Sequence, residues 1–263
     1  MSEELIFGKY DGLLCDLDGV VYAGPDAIEG APEALQELAG RGVKIGYVTN
    51  NASRSNLVVA EHLRSLGAPA PDHTVFGSVQ AAVALLQQHV PAPASVLATG
   101  SEYLADSLVA AGYRISADHH DRPDAVVQGF NPALAWPDLA HASYAIAAGS
   151  FWVATNMDTT IPTAEGIAPG NGTFVQAVAT ATGKTPIVAG KPEPHLFRVA
   201  SEQLQLRRPL VIGDRLDTDI LGGNRAGYDT ALVLTGINTR AQAQEAPAEL
   251  VPTMIVESLR ELL

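Results

Sequence analysis

Four short apolar segments, each followed at once by a polar residue, set the strongest constraint on how this 263-residue chain can fold. Each segment is rich in β-branched or large aliphatic residues and lacks an internal proline, as expected of a strand buried on both faces of a parallel sheet. The segments are residues 12–15 before Asp16, 43–48 before Thr49, 187–190 before Lys191, and 210–213 before Asp214.

Apolar residues recur at helical spacing between these segments, over residues 31–39, 55–66 and 195–206. Ser53 is a candidate cap for the second of these helices, which is expected to stop at Gly67. Alternating strands and helices predict right-handed βαβ units and a doubly wound α/β sheet, in which ligands bind at the carboxyl ends of the strands. The four polar strand ends are therefore expected to face one crevice.

The stretch between residues 79 and 184 has its own alternation of strand and helix patterns, with strand-like segments at 95–98, 124–127 and 151–154. It is too long to be a loop between two strands of the first sheet. We therefore predict a Rossmann-like core formed by residues 1–78 and 185–263, with residues 79–184 inserted as a second α/β domain.

The charge of the chain restricts its partners. A formal net charge of −13 and a pI near 4.8 predict a surface that repels nucleic acid and anionic membranes. No apolar stretch approaches the ~20 residues that a membrane helix needs, and the acidic start of the chain is unlike a secretory signal. The single cysteine, Cys15, suits a reducing compartment, so we expect a cytoplasmic protein. An anionic substrate would then need local positive charge from a metal ion, a lysine or backbone N–H groups.

The segment Asp16-Leu17-Asp18-Gly19 carries the strongest chemical signal. Residues two apart on an extended backbone point the same way, so both carboxylates can enter one site. A divalent cation would relieve their repulsion, while the carboxyl group that it does not bind could hold a proton near neutral pH and act as a general acid. Asp and Gly also cluster in ordinary turns, so the segment alone leaves both interpretations open.

Thr49-Asn50-Asn51 and Lys191 supply groups that could bind phosphate. A hydroxyl group and successive N–H groups at a strand end suit phosphate oxygens, although the same residues are common in a strand-ending turn with a helix cap. A lysine at a strand end would neutralise phosphate and carboxylates, although an isolated lysine is usually a solvated side chain. The apolar segment before Lys191 and the proline after it fix its backbone direction and favour the first interpretation.

Asp214, Asp217 and Asp219 add carboxylates after the fourth segment. Mg²⁺ prefers oxygen ligands and usually takes one or two carboxylates from the protein, so Asp214 is the expected direct ligand. Asp219 is expected to hold a metal-bound water, and Asp217 could simply complement a helix dipole. An Asp-rich helix start would look the same.

Together these segments resemble, in order and spacing, the four motifs of the haloacid dehalogenase superfamily. The long insert is similar to the α/β cap of its subfamily IIA, the NagD-like or 4-nitrophenylphosphatase-like enzymes. The resemblance implies a phosphatase with Asp16 as nucleophile, Asp18 as acid and base, and Thr49 and Lys191 as phosphate ligands. It also implies Mg²⁺ held by the Asp16 carboxylate, the Asp18 carbonyl and Asp214.

The insert offers further candidates. Residues 155–158 and 169–172 are similar to cap segments of that subfamily, so Asn156 and Asp158 could reach the leaving group, although a structural turn is an equal alternative. Adjacent His119 and His120 are expected to point apart, in a solvated loop. Cys15, Trp136 and Trp152 are expected to pack in apolar surroundings.

The sequence does not decide among nitrophenyl, sugar, glycerol and nucleoside phosphates and phosphoglycolate as the substrate. The same resemblance leads us to expect a homodimer that associates through the cap. Two alternatives are a receiver-like signalling module that stores a phosphoryl group and a protein that binds ligand without hydrolysing it. The position of Asp18 two residues after the proposed nucleophile, Asp16, disfavours the receiver, and so does the large insert. A receiver would not turn over nitrophenyl phosphate steadily.

Overall fold

The computed structural model describes residues 8–163 and 165–263. Helices and strands alternate along most of this chain. In chain order the elements are β1 (Gly12–Cys15), β2 (Tyr22–Ala23), β3 (Asp26–Ala27), α1 (Ala31–Gly40), β4 (Lys44–Thr49), α2 (Asn56–Ser65), β5 (Val75–Gly77), α3 (Ser78–His89), β6 (Ser95–Thr99), α4 (Glu102–Ala110), β7 (Arg114–Ile115), β8 (Ala125–Gln128), α5 (Trp136–Ala147), β9 (Phe151–Ala154), β10 (Thr160–Thr163), β11 (Gly166–Pro169), α6 (Asn171–Thr182), β12 (Ile187–Val188), α7 (His195–Gln203), β13 (Pro209–Gly213), α8 (Leu221–Ala226), β14 (Asp229–Val233), α9 (Arg240–Gln244) and β15 (Met254–Val256).

Two compact units divide these elements. The first unit contains the described residues up to Thr49, Asn56–Phe76 and Lys191–Leu263, and the second contains Asn50–Ser55 and Gly77–Gly190. Each unit is built on its own sheet.

The sheet of the first unit has six strands in the order β15-β14-β13-β1-β4-β5. Pairing of β1 with β4 and with β13, and of β14 with β13 and β15, is parallel, which confirms the doubly wound α/β class. Helix α1 shows how sequence produces this layer. Its buried residues Ala31, Ala34, Leu35 and Leu38 recur at helical spacing, so one apolar face packs into the main core.

The sheet of the second unit has five strands in the order β12-β9-β8-β6-β7, and all its pairs are parallel. Its core joins α5 and α6 to the sheet through Val126, Ile146, Trp152 and Val175. The interpretation of Trp152 as packed in an apolar core is confirmed. That of Trp136 is wrong, because its side chain is 75% exposed at the start of α5.

The structure also corrects the interpretation of residues 187–190 as a strand of the first sheet. Ile187 and Val188 pair with Val153 and Ala154 of β9, in the second unit. The strand has only two residues and lies at the sheet edge with Ile187 40% exposed, so its apolar content carried too little information to specify which sheet it joins. Lys191 follows this strand but belongs to the first unit.

Candidate active site

Three strand ends of the first sheet place predicted site residues at one edge. In the parallel register, Cys15 pairs with Tyr47 of β4 and with Ile212 of β13. Asp16 follows β1 directly, Thr49 ends β4, and Asp214 follows β13, so all three lie within about one residue of the same level along the strands. A hydrogen bond of 2.9 Å from the Asp16 N–H to the Ile212 carbonyl continues the ladder to this point. All three side chains are buried.

Lys191 supplies a buried positive charge between two of the carboxylates. Its Nζ donates to Asp16 Oδ1 at 2.5 Å and to Asp219 Oδ1 at 2.6 Å, and its side chain is 3% exposed. Burial acts to lower the pKa of Lys191, but the carboxylates of Asp16 and Asp219 outweigh burial and raise it above its ordinary value. The lysine is therefore a permanent cation held between two carboxylates, not a solvated side chain.

Asp16, Asp214 and Asp219 each offer a carboxylate oxygen, and these atoms lie within 4.8 Å of one another. Burial, followed by repulsion from Asp16 and Asp219, raises the pKa of Asp214 to about 8. Burial also raises the pKa of Asp219 to about 6 and shifts that of Asp16 upward, with Lys191 opposing both shifts. Three carboxylates facing one ammonium group leave an excess of negative charge. This arrangement fits a divalent cation that prefers oxygen ligands.

The two oxygens of Asp214 have different surroundings. Oδ2 accepts a hydrogen bond of 2.8 Å from the N–H of Ile237, whereas Oδ1 has no hydrogen-bond partner among the residues that the structure describes. Gly19 and Gly236 approach so closely that a Cβ on either would lie 2.4 or 2.1 Å from Oδ2. Gly19 also has φ +81°, which side-chain-bearing residues rarely adopt. The carboxylate is thus clamped on one side, with a buried oxygen left for a cation.

The loop that contains Gly236 is a part of the site that the sequence interpretation missed. Thr235 Oγ1 donates to the Gly19 carbonyl at 2.7 Å, and Asn238 Oδ1 accepts from the N–H of Leu216 at 2.8 Å. Strand β14 is followed by an apolar residue and then Thr235-Gly236. That is the same pattern of an apolar strand with a polar end that located the other site residues, so the signal was present.

Asp18, Asp217 and Asp219, the other carboxylates of the first unit that were singled out from the sequence, differ in burial. Asp18 is exposed, and its charge contributes to the raised pKa of Asp16. Asp217 is also exposed and forms an ion pair with Arg215 at 3.0 Å. Asp219 is buried, and besides Lys191 it accepts the N–H of Arg215 at 3.2 Å.

Asn50, Asn156 and Asp158 come together in the second unit. Asn50 Nδ2 donates to Asp158 Oδ1, and Asn156 Nδ2 donates to the Asn50 carbonyl, both at 2.9 Å. Ser78 Oγ donates to the same carbonyl at 2.9 Å. Asn51 instead closes a local turn, since its Oδ1 accepts from the N–H of Ser53 at 2.8 Å. Asn50 thus fixes the two residues predicted to reach a leaving group.

Comparisons with known proteins show the family to which this chain is related. Family profiles described as haloacid dehalogenase-like hydrolase and HAD-hydrolase-like match residues 13–114 and 188–262. D-glycerol 3-phosphate phosphatase of Mycobacterium tuberculosis is 46% identical over 254 residues, covering 97% of this chain and 71% of that protein. Acid sugar phosphatase of Staphylococcus aureus is 35% identical over 257 residues, covering 97% of both chains.

Among solved structures, a glycerol phosphate phosphatase from Mycobacterium tuberculosis in complex with magnesium superimposes with a TM-score of 0.93. Its sequence is 46% identical, and the match covers 98% of this chain and 78% of that one. The agreement extends over both sheets of the present fold, not only over the first. The chain therefore belongs to the haloacid dehalogenase superfamily, in its NagD-like subfamily IIA.

Proposed function

We propose that this chain is a magnesium-dependent phosphatase that hydrolyses small phosphomonoesters through a phospho-aspartate formed on Asp16. The observation that carries the proposal is the buried ion pair of Lys191 with Asp16 beside two further buried carboxylates. A structural ion pair would not need the third carboxylate, whose repulsion costs stability. A phosphoryl-transfer site needs both a fixed nucleophile and concentrated positive charge.

Asp16, Asp214 and the main-chain carbonyl of Asp18 would hold Mg²⁺, which supplies positive charge opposite the phosphoryl oxygens when it is bound. Lys191 holds Asp16 Oδ1 and thereby orients the carboxylate while also neutralising phosphate charge. The hydroxyl group of Thr49, at the end of β4, is proposed to bind a phosphate oxygen, together with N–H groups of Asn50 and Asn51. Asp219 is proposed to orient Lys191 and a metal-bound water.

The reaction then needs two steps by residues of this chain. A carboxylate oxygen of Asp16 forms a bond to phosphorus as the ester P–O bond breaks, and Asp18 gives its proton to the departing alkoxide. Asp18 next takes a proton from water, whose oxygen attacks phosphorus as the bond to Asp16 breaks. Inorganic phosphate leaves, and both carboxyl groups return to their starting states. An exposed Asp18 suits this role because it must meet leaving group and water in turn.

The second unit is proposed to act as the cap and to select the substrate. The names of the two relatives point to glycerol phosphate and sugar phosphate as the first classes to examine. Asn156 and Asp158 are proposed to contact the leaving group, and their hydrogen bonds to Asn50 would fix both side chains for that purpose. Residues 79–184 remain our proposal for the extent of the inserted domain.

We further propose a cytoplasmic homodimer that associates through the second unit. Two large apolar side chains of that unit support the proposal, since Trp136 is 75% and Ile167 70% exposed. Among the described residues, no helix has the length and apolar character needed to cross a membrane. Sedimentation of the wild type beside a Trp136→Ser, Ile167→Ser variant tests the dimer.

Phosphate release from a panel of sugar, glycerol, nucleoside and nitrophenyl phosphates, with and without chelator, tests the proposed function. We expect steady turnover with Mg²⁺, abolition in excess chelator, and recovery with Mg²⁺ that exceeds recovery with Ca²⁺, because the larger ion misplaces the in-line geometry. A single equivalent of product followed by no turnover would instead indicate a phosphoryl-storing module. Full activity in excess chelator would refute the role of the metal.

A further inference from the structure

A cluster of three histidines and one aspartate lies in the second unit. Asp118 precedes a short 3₁₀ turn, His119–Asp121, and His141 lies on α5. Ligand atoms of Asp118, His119 and His120 lie within 4.8 Å of one another. His119 Nδ1 and His141 Nδ1 are 2.7 Å apart. Three of these side chains bring metal-binding atoms together at the 3₁₀ turn, and His141 approaches one of them, His119, from α5.

The expectation that the two adjacent histidines point apart is wrong. Their ring centroids lie 4.0 Å apart. Successive side chains of a 3₁₀ turn are rotated by only about 120°, whereas those of a strand point to opposite faces, so the two rings can meet. The further ligand is 22 positions along the chain, on a helix, so no local pattern could reveal it. The ring of His119 also lies 5.0 Å from that of His141.

Short-range hydrogen bonds hold the turn in place. Asp118 Oδ1 accepts the N–H of His120 at 2.7 Å, and Asp121 Oδ2 accepts the N–H of Ala117 at 2.9 Å. These two contacts fix the backbone on either side of the histidines. The side chains of Asp118, His119 and His141 are partly buried and that of His120 is exposed, so the cluster is both ordered and open to ions from solution.

We propose that this cluster binds Zn²⁺, with His119 and His141 as nitrogen ligands, Asp118 as the carboxylate ligand and His120 completing the set. Imidazole nitrogen and carboxylate oxygen are ordinary zinc donors, and two or three imidazoles favour Zn²⁺ over Mg²⁺. The first unit's cluster offers only oxygen ligands. The two clusters therefore differ in the metal that each prefers.

The contact between His119 and His141 is the feature that a zinc ion would replace. At 2.7 Å one ring must donate its Nδ1 proton to the other. Zn–N bonds of about 2.0–2.1 Å in tetrahedral geometry separate two ligand nitrogens by roughly 3.3 Å, so the rings need to part by only about 0.6 Å. As Zn²⁺ enters, the ring that carried the shared proton on Nδ1 releases it to water and takes up one on Nε2, so both histidines bind as neutral imidazoles and nothing is oxidised or reduced. The ion would then join the 3₁₀ turn to α5.

Calorimetric titration of ZnCl₂ into the full-length chain in excess Mg²⁺ tests the proposal. We expect His119→Ala and His141→Gln to lose one equivalent of zinc, or to weaken its binding by about 100-fold or more, since even outer-shell partners are worth 10–100-fold. Asp118→Asn keeps an oxygen that can cap the turn but removes the charged ligand, and should also weaken binding. His73→Ala, which removes an exposed histidine of the first unit, should bind as the wild type does.

Co²⁺ provides a second readout that does not depend on activity. Nitrogen-ligated Co²⁺ in the wild type and in His73→Ala should give visible absorption bands that are absent in His141→Gln. Glutamine can still hydrogen-bond to His119, so this variant should remain folded, and Asp118→Asn is the second variant if it does not. If the wild type binds zinc no more tightly than the cluster variants do, the proposal is overturned. The contact between His119 and His141 is then only a hydrogen bond.

Discussion

The chain contains two parallel sheets, and the residues at the carboxyl ends of their strands differ in charge. In the first unit, strands β1, β4 and β13 lead to Asp16, Thr49 and Asp214, with Lys191 bound between carboxylates. In the second unit, β6 and β8 end at Thr99 and Gln128, and β9 is followed by Thr155, all of them buried and neutral. The shared architecture provides a strand-end edge in each unit, and the first edge carries the carboxylates and the lysine on which the proposed phosphoryl transfer depends.

The comparison also shows how each edge tolerates buried polar groups. The first edge holds its carboxylates by Lys191, by the N–H groups of Arg215 and Ile237 and, in our proposal, by a metal ion. The second edge contains Gln128, whose amide atoms have no hydrogen-bond partner among the described residues. The predicted consequences of mutation should therefore differ in size and in kind between the two edges.

The largest expected effect lies at the first edge. Asp16→Asn keeps the shape of the side chain and removes the attacking carboxylate, so turnover should fall by about 10³-fold or more. Asp217→Asn is the matched control, since Asp217 is an exposed carboxylate of the same unit that pairs only with Arg215 among the bonds described. Its activity should stay within about threefold of wild type. Steady-state phosphate release measures both variants. If Asp16→Asn keeps more than a tenth of the wild-type activity, Asp16 is not the nucleophile.

Asp214→Asn should produce an intermediate effect, on stability. Because the folded-state pKa of Asp214 is raised to about 8, its ionisation disfavours the folded state, and this penalty grows as pH rises from about 4 to 8. Without metal at pH 8, the variant should be more stable than wild type by about 1–3 kcal/mol, and the gain should vanish near pH 4. Urea unfolding in chelator at both pH values measures the difference.

The same unfolding measurement has two internal checks. Mg²⁺ should stabilise the wild type at pH 8 and should have little effect on Asp214→Asn, because the buried ligand oxygen is lost. Asp217→Asn should change stability by no more than about 0.5 kcal/mol at either pH. The opposite result is that Asp214→Asn is less stable than the wild type in chelator at pH 8. It would mean that groups of the protein already compensate the negative charge of Asp214, so that the carboxylate does not require a cation.

The smallest effect is expected at the second edge. Gln128→Leu replaces a fully buried, unpaired amide with an apolar side chain of similar size, so the free energy of unfolding should stay unchanged or rise by up to about 1 kcal/mol. Activity on nitrophenyl phosphate should remain within about threefold. A loss of more than tenfold in kcat/KM would contradict the assignment of chemistry to the first edge alone.

Much of the first sheet could be predicted from the sequence because its strands are buried on both faces and end abruptly in polar residues. Asp16, Thr49 and Asp214 follow from this pattern, and the helices near them were predicted to within a few residues. In α2, however, the residues that face the core are Val59, Ala60 and Leu63, whereas Leu57 is 55% exposed. Helical periodicity alone did not identify which of several apolar residues would be buried.

The features that escaped prediction all depend on partners distant in sequence. The two residues of β12 could pair with either sheet, and tertiary pairing assigned them to β9. The clamp of Asp214 between Gly19 and Gly236 joins loops that are more than 200 residues apart, and His141 approaches His119 from another element. Burial also separated carboxylates that look alike in sequence, since Asp219 is buried and Asp217 is exposed.

Covalent capture of the phosphoenzyme tests the central claim most directly. Asp18→Asn should still pass a phosphoryl group to Asp16 from nitrophenyl phosphate, because nitrophenolate leaves without a proton, but the variant lacks the base for the water attack. Rapid mixing should therefore give a burst of one nitrophenol per chain followed by a slow steady state. Mass spectrometry of the quenched protein should find one phosphoryl group on the peptide that contains Asp16. Linear nitrophenol release with no phosphorylated peptide would contradict the account.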